Sequence, residues 1–146
     1  HRWEHGELLA RPEHAWELIQ IGNCGSPIEL EEGWLVLTHG VGAMRKYSIG
    51  ALLLDRDDPS RVIGRTAVPL LSPSDEAREG YVPNVVYTCG ALAHAGRLIM
   101  PYGVADSSVS FASMDLAELL AMLSPPTAAW SPLAHDVEPI RDRTDA

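Results

Sequence analysis

No apolar run in the 146 residues approaches the ~20 needed to cross a bilayer as a helix. No positively charged stretch followed by an apolar core opens the chain as a secretory leader would, and no initiator Met stands at its start. Basic residues are scarce: 11 Lys and Arg face 20 Asp and Glu, for a formal net charge of −9. That balance argues against nucleic-acid backbone and anionic membrane surfaces as partners. Cysteine is equally sparse. Only Cys24 and Cys89 are present, and without a leader such a pair is expected reduced in the cytoplasm rather than bridged, although a Cys24–Cys89 disulfide stays open. The six His are scattered, and no Cys or His pair has zinc-ligand spacing, so no metal is expected. The chain begins at His1-Arg2-Trp3 in what reads as the middle of a strand unit, as a piece of something longer would.

Hydrophobic residues make up 46% of the chain, enough for one domain with a real core. Within it one motif is written twice: CGSPIELEEGWLVLTHGV at 24–41 and CGALAHAGRLIMPYGV at 89–104. Each copy runs from Cys-Gly to a Gly turn (Gly33, Gly96) and then along a strand ending in a ring followed by Gly-Val. His39 in the first copy stands where Tyr102 stands in the second, and IGALLLD at 49–55 lies opposite SFASMDL at 110–116. A repeat distance of roughly 60 residues points to stacked β-units whose equivalent strand ends converge on one site.

Alternation and turn residues predict short strands at Glu7–Leu9, Trp16–Ile21, Pro27–Leu30, Trp34–His39, Lys46–Leu54 and Arg61–Arg65. A second set is predicted at Val82–Tyr87, Gly90–His94, Arg97–Tyr102 and Val109–Ser113, after a loop over Leu71–Gly80. Apolar residues at 116, 119, 120 and 123 predict one helix, Asp115–Leu123, opened by a capping-box-like Asp115-x-x-Glu118. Residues 1–123 are therefore an all-β domain with one short C-terminal helix, and 124–146 a Pro-rich tail. The repeat favours propeller blades, of which this length would supply about three at ~40–50 residues each.

Several side chains fall where such strands end. His39, followed at once by Gly40, would be an accessible acid, base or anion ligand, or a half-buried packing ring. Arg45, Lys46 and Tyr47 follow within one loop and suit a phosphate or sugar carboxylate, or form an ordinary basic turn. Asp106, just past Tyr102, would accept from sugar hydroxyls or simply start the Ser107-Ser108 turn. Asn84 is a turn residue or a rim donor, and Trp3, Trp16 and Trp34 are most simply packing residues.

The segments WELIQIGNCGSPIELEEGWLVLTHGV, YSIGALLLDRDDPSRVIGR, EGYVPNVVYTCGAL and YGVADSSVSFASMDLAELL together resemble glycoside hydrolase family 130, the mannoside phosphorylases and mannosidases, over about residues 3–123. The resemblance implies a five-bladed β-propeller with an axial pocket, cleaving β-mannosides by phosphorolysis or hydrolysis. It matches His39 to a phosphate-binding His, Tyr47 to the Tyr opening the next strand, and Asp106 to the Asp of a YG-x-x-D element in the substrate pocket. Gln20 stands where family phosphorylases commonly carry Lys, the loop from His39 to Tyr47 is shorter, and the general-acid Asp is expected outside this chain. No cofactor is implied beyond inorganic phosphate as co-substrate. An oligosaccharide is the expected partner, with N-terminal blades or further copies of the chain covering the open sheet ends. The competing reading is a non-catalytic carbohydrate-binding or oligomeric propeller fragment that lacks the acid; a third is a structural remnant.

Overall fold

In a computed structural model, residues 8–74 and 81–126 are described. The strands are β1 (Gln20–Asn23), β2 (Ile28–Glu29), β3 (Trp34–Val41), β4 (Tyr47–Leu54), β5 (Val62–Thr66), β6 (Val86–Tyr87), β7 (Leu92–His94), β8 (Arg97–Val104), β9 (Ser108–Asp115) and β10 (Leu123–Ser124), with one helix, α1 (Leu116–Met122). They form two antiparallel sheets. In the first, β1 and β2 share one edge of β3, whose other edge takes β4, then β5, then β10. In the second, β6 and β7 share one edge of β8, whose other edge takes β9. The written duplication is thus a duplicated topology. A short strand before Cys-Gly and another after it pair with one eight-residue strand, and the following eight-residue strand closes the unit.

The sheets pack on one another through alternate residues. Leu35, Leu37, Ile49 and Ala51 of the first meet Val86, Leu98 and Met100 of the second, with Leu119 of α1 closing the end. The opposite face of the first sheet buries Val36, Leu52 and Leu54 against Ala10, Trp34 and Val62. Burial on both faces explains why β3 and β4 read as continuous apolar runs rather than alternating ones. Among the described residues the second sheet is covered on one face only. On its outer face Val109 and Phe111 are each 73% exposed and Leu92 60%.

Most of the expected strands are present, with ends that coincide or shift by up to four residues. Two expectations fail. The strand expected at Trp16–Ile21 is a 3₁₀ turn over Ala15–Glu17 followed by β1, and Leu8–Leu9 form no strand. Among the described residues the strands form two sheets, and residues 8–14 lead toward the first of them without a strand. Ser124, assigned to the tail, belongs to β10, where it faces Arg65. Residues 127–146 of that tail, 75–80 of the expected loop, and Glu7 and Trp3 lie outside the described residues. The helix starts as expected: the Asp115 carboxylate accepts from the backbone N–H of Ala117 and Glu118.

Tertiary contacts account for the N-terminal departure. The Arg65 guanidinium, buried on β5, pairs with Glu17 and Glu13, each at 2.5 Å, and donates to the Arg11 carbonyl. The same Glu17 oxygen accepts from the backbone N–H of Glu13 and His14, which closes the turn. Trp16 is thereby laid over Gly40 and Gly50. A Cβ at either would stand 2.3 or 2.4 Å from its indole, so only glycine fits in both strands. Glu17→Ala should cost about 3–5 kcal/mol, because it leaves a buried guanidinium short of its counter-charge. Glu13→Ala, at a partly exposed pair, should cost far less. Urea denaturation of the two variants checks this; equal losses would mean that Glu17 is not the anchor.

Candidate functional site

The two sheets meet at the start of β4. The Tyr47 N–H donates to the Asn84 carbonyl at 2.9 Å, and Tyr47 bridges to Val85 in parallel register. Residues 82–85 are held on their other side by the turn after β8, where Val82 N–H donates to Ala105 O and Ala105 N–H to Val85 O. These three pieces frame a cleft of about 690 Å³ lined by Met44, Arg45, Tyr47, Val82, Pro83, Asn84, Val85, Tyr87 and Asp106. That is the size of a small-molecule site, and its lining mixes apolar side chains with polar and charged ones.

Backbone conformation singles out the same place. Six described non-glycine residues have left-handed φ, and five lie in or beside the cleft: Met44 (56°), Arg45 (54°), Asn84 (63°), Ala105 (49°) and Asp106 (51°). Asn and Asp tolerate that region, whereas Met, Arg and Ala are held there at a cost of about 1–3 kcal/mol each. Strain of this kind persists where surrounding structure enforces it, and it gathers at functional sites.

Behind the cleft stands His39. Its ring lies over Gly22, the residue paired with it across β1, where a Cβ would come within 2.5 Å of His39 Cε1. Its Nε2 is 3.3 Å from the Gln20 amide nitrogen and its Nδ1 3.6 Å from the Cys24 thiol. The ring stacks on Tyr47 with centroids 6.2 Å apart and packs at a tilt on Tyr87 at 5.5 Å. Burial lowers the His39 pKa from its ordinary value, partly offset by a backbone hydrogen bond to Asn23, so the ring is neutral near pH 7. Burial likewise pushes the Cys24 thiol up to about 11, against a backbone hydrogen bond from Thr88 and with the neighbouring Cys89 adding to the rise. Tyr87 is also raised, by burial first and then by Cys24 and Cys89.

Of the residues singled out in the sequence, Arg45, Tyr47, Asn84 and Asp106 converge on the cleft from three separate segments. His39 sits one layer behind them and reaches the cleft through Tyr47 and Tyr87. Gln20 is exposed on β1 and touches His39 rather than the cleft. Tyr102 does not share the pocket as expected. It occupies the sixth position of β8, as His39 does of β3, but packs against the inter-sheet core. Nor is the site a simple positive pocket, since Arg45 is accompanied by the Asp106 carboxylate and the histidine is neutral. Tyr87 was missed in the sequence, although it stands two residues before Cys89 as Gly22 stands two before Cys24. Both thiols are free, Cys24 buried and Cys89 exposed.

A family model described as beta-1,4-mannooligosaccharide phosphorylase matches residues 4–125. The chain is similar to a beta-1,2-mannobiose phosphorylase of Listeria innocua, 39% identical over 121 residues, which are 82% of this chain and 34% of that protein. It is 42% identical over 115 residues to a beta-1,4-mannooligosaccharide phosphorylase of Ruminococcus albus, covering 75% of this chain and 34% of the relative. Among solved structures, the Listeria innocua enzyme in complex with beta-1,2-mannobiose superposes with a TM-score of 0.70 at 39% identity, over 77% of this chain and 32% of that one. The chain spans about a third of the length of these curated relatives.

Two pH-dependent outcomes follow from the cluster behind the cleft. With its pKa near 11, Cys24 stays protonated and unreactive in the folded protein, whereas exposed Cys89 labels readily at pH 8. Mass spectrometry after alkylation should find one modified thiol in the native protein and two after unfolding. Because the folded thiol holds its proton more tightly than the unfolded one, its contribution to stability is lost as pH rises from 9.0 toward about 11. His39 has the opposite sense. Unfolded imidazole takes up a proton that the folded ring resists, so stability falls as pH drops below 6.5, and His39→Gln should flatten that fall in denaturation midpoints.

Proposed function

The chain belongs to glycoside hydrolase family 130, and on that premise we propose that the protein carrying it cleaves β-1,2- or β-1,4-linked mannosides with inorganic phosphate, this chain forming one wall of the sugar and phosphate cleft. The observation that carries the proposal is the convergence of Arg45, Tyr47, Asn84 and Asp106 on one strained cleft between the two repeated units. The exposed guanidinium of Arg45 is suited to two parallel hydrogen bonds on a phosphate or a sugar oxygen. Asp106 is suited to accept from sugar hydroxyls, with the Tyr47 hydroxyl and the Asn84 amide as neutral partners.

In phosphorolysis a phosphate oxygen forms the bond to the anomeric carbon as the glycosidic C–O bond breaks. The leaving oxygen takes its proton from a general acid, which we place outside this chain. In the same reading the two sheets are neighbouring blades of a five-bladed propeller, and the exposed face of Val109 and Phe111 meets another blade of the same protein. We place the protein in the cytoplasm, where a pair of unbridged cysteines is expected to stay reduced. Among the described residues no helix is long and apolar enough to cross a membrane.

One observation favours hydrolysis as a second reading. Gln20 is a neutral amide facing His39, and Arg45 is the only cation among the described residues lining the cleft, which is a weak set of donors for a phosphate dianion. The test is turnover of β-mannobiose by the intact protein with and without inorganic phosphate. Phosphorolysis predicts release of mannose 1-phosphate that rises with phosphate; equal rates of mannose release without it establish hydrolysis. In either case Asp106→Ala should lower kcat/KM about 10- to 100-fold, since a hydrogen bond to a charged group contributes about 1.5–3 kcal/mol. An unchanged value would remove Asp106 from the site.

A further inference from the structure

Tyr87 ends a two-residue strand at the mouth of the cleft, and none of the features above accounts for its being a tyrosine. The residue is 39% exposed although its ring is packed from behind by His39. His39 packs against it at 5.5 Å, and the Cys24 thiol, itself 3.6 Å from His39 Nδ1, lies near enough to help raise the Tyr87 pKa. Its cross-strand partner on β8 is Gly103, so no side chain stands directly opposite the ring on that strand. A Cβ built on Gly103 finds nothing closer than 3.9 Å, and both of those nearest atoms are backbone carbonyl oxygens. The ring is therefore held in place yet left uncovered toward an open strip of sheet, an arrangement that a simple packing role does not require. Apolar aromatic area next to hydroxyl-binding groups suits a pyranose, which has a C–H face for the ring and hydroxyls at its rim.

We propose that Tyr87 is a specificity-determining residue: its ring is the stacking wall for one sugar unit of the oligosaccharide, and His39 and Cys24 position it from behind. This rests on the mannoside-cleaving reading above. Stacking acts on the sugar and not on phosphate, and it needs the ring but not the hydroxyl. Tyr87→Phe should then keep the KM for β-mannobiose within about twofold, while Tyr87→Leu and Tyr87→Ala raise it about tenfold, as loss of an aromatic contact of about 1.4 kcal/mol implies. The KM for phosphate should not move in any of the three. Cys24→Ala should raise the sugar KM by less than Tyr87→Ala does.

The kinetics are run on the intact protein, with thermal midpoints showing that each variant is folded; Tyr87→Leu keeps the apolar bulk if the alanine variant does not fold. A sugar KM unchanged in Tyr87→Leu, while Asp106→Ala still impairs turnover, overturns the stacking wall and leaves the proposed function standing. Should the parent protein cleave no mannoside, calorimetric titration with β-mannobiose decides. Binding that weakens about tenfold in Tyr87→Leu supports the wall without the reaction, and absence of binding to the parent overturns both.

Discussion

A buried guanidinium anchors the segment that leads into the first sheet. Arg65 is on β5, at the far side of the first sheet from β1, yet its partners Glu13 and Glu17 and the Arg11 carbonyl belong to the segment that leads into β1. Leaving that charge unpaired in the interior would cost several kcal/mol, so the segment must cross the face of the sheet to reach it. Trp16 travels with Glu17 and comes to rest on the window left by Gly40 and Gly50. The chain so held enters β1 at Gln20, with Gly22 opposite His39. The layer behind the cleft therefore depends on an ion pair at the other edge of the sheet.

The duplicated units have diverged at equivalent positions. In the first, the ring at the sixth position of the long strand is a histidine that supports two tyrosines of the cleft. In the second, Tyr102 fills the core between the sheets instead. The Cys-Gly turns have diverged too: Cys24 is buried against His39, whereas Cys89 is exposed. The candidate cleft falls at the seam between the units, where the Tyr47–Asn84 hydrogen bond joins them and residues of left-handed φ at 44–45, 84 and 105–106 gather. A seam is a natural place for a ligand, since regular hydrogen bonding ends there and free polar groups become available.

Repetition and alternation made much of this visible in the sequence. The duplicated Cys-Gly…Gly…ring-Gly-Val pattern marked two like units, and β3, β4, β8 and β9 lie close to where their alternating or apolar runs put them. Arg45, Tyr47, Asn84 and Asp106 were recognisable because each sits in a short polar break beside such a run. The 3₁₀ turn at Ala15–Glu17 was not, since it is set by Arg65, 48 positions from Glu17 along the chain. Local apolar periodicity there reads as strand, and a distant charge overrides it.

Residue type by itself determined that the chain is mainly β, that its strands come in two like sets, that α1 starts at the Asp115 cap, and that few cations are available for an anion. Tertiary structure alone decided which rings share a site. His39 and Tyr102 are equivalent in sequence, and only the packing of one sheet on the other sends the first toward the cleft and the second into the core. Strand alternation fixes the face on which a side chain lies, whereas its neighbours on that face come from segments remote in the chain. Tyr87 joins the site for the same reason: a two-residue strand carries little periodic signal, and the His39 and Cys24 that hold its ring are 48 and 63 positions away.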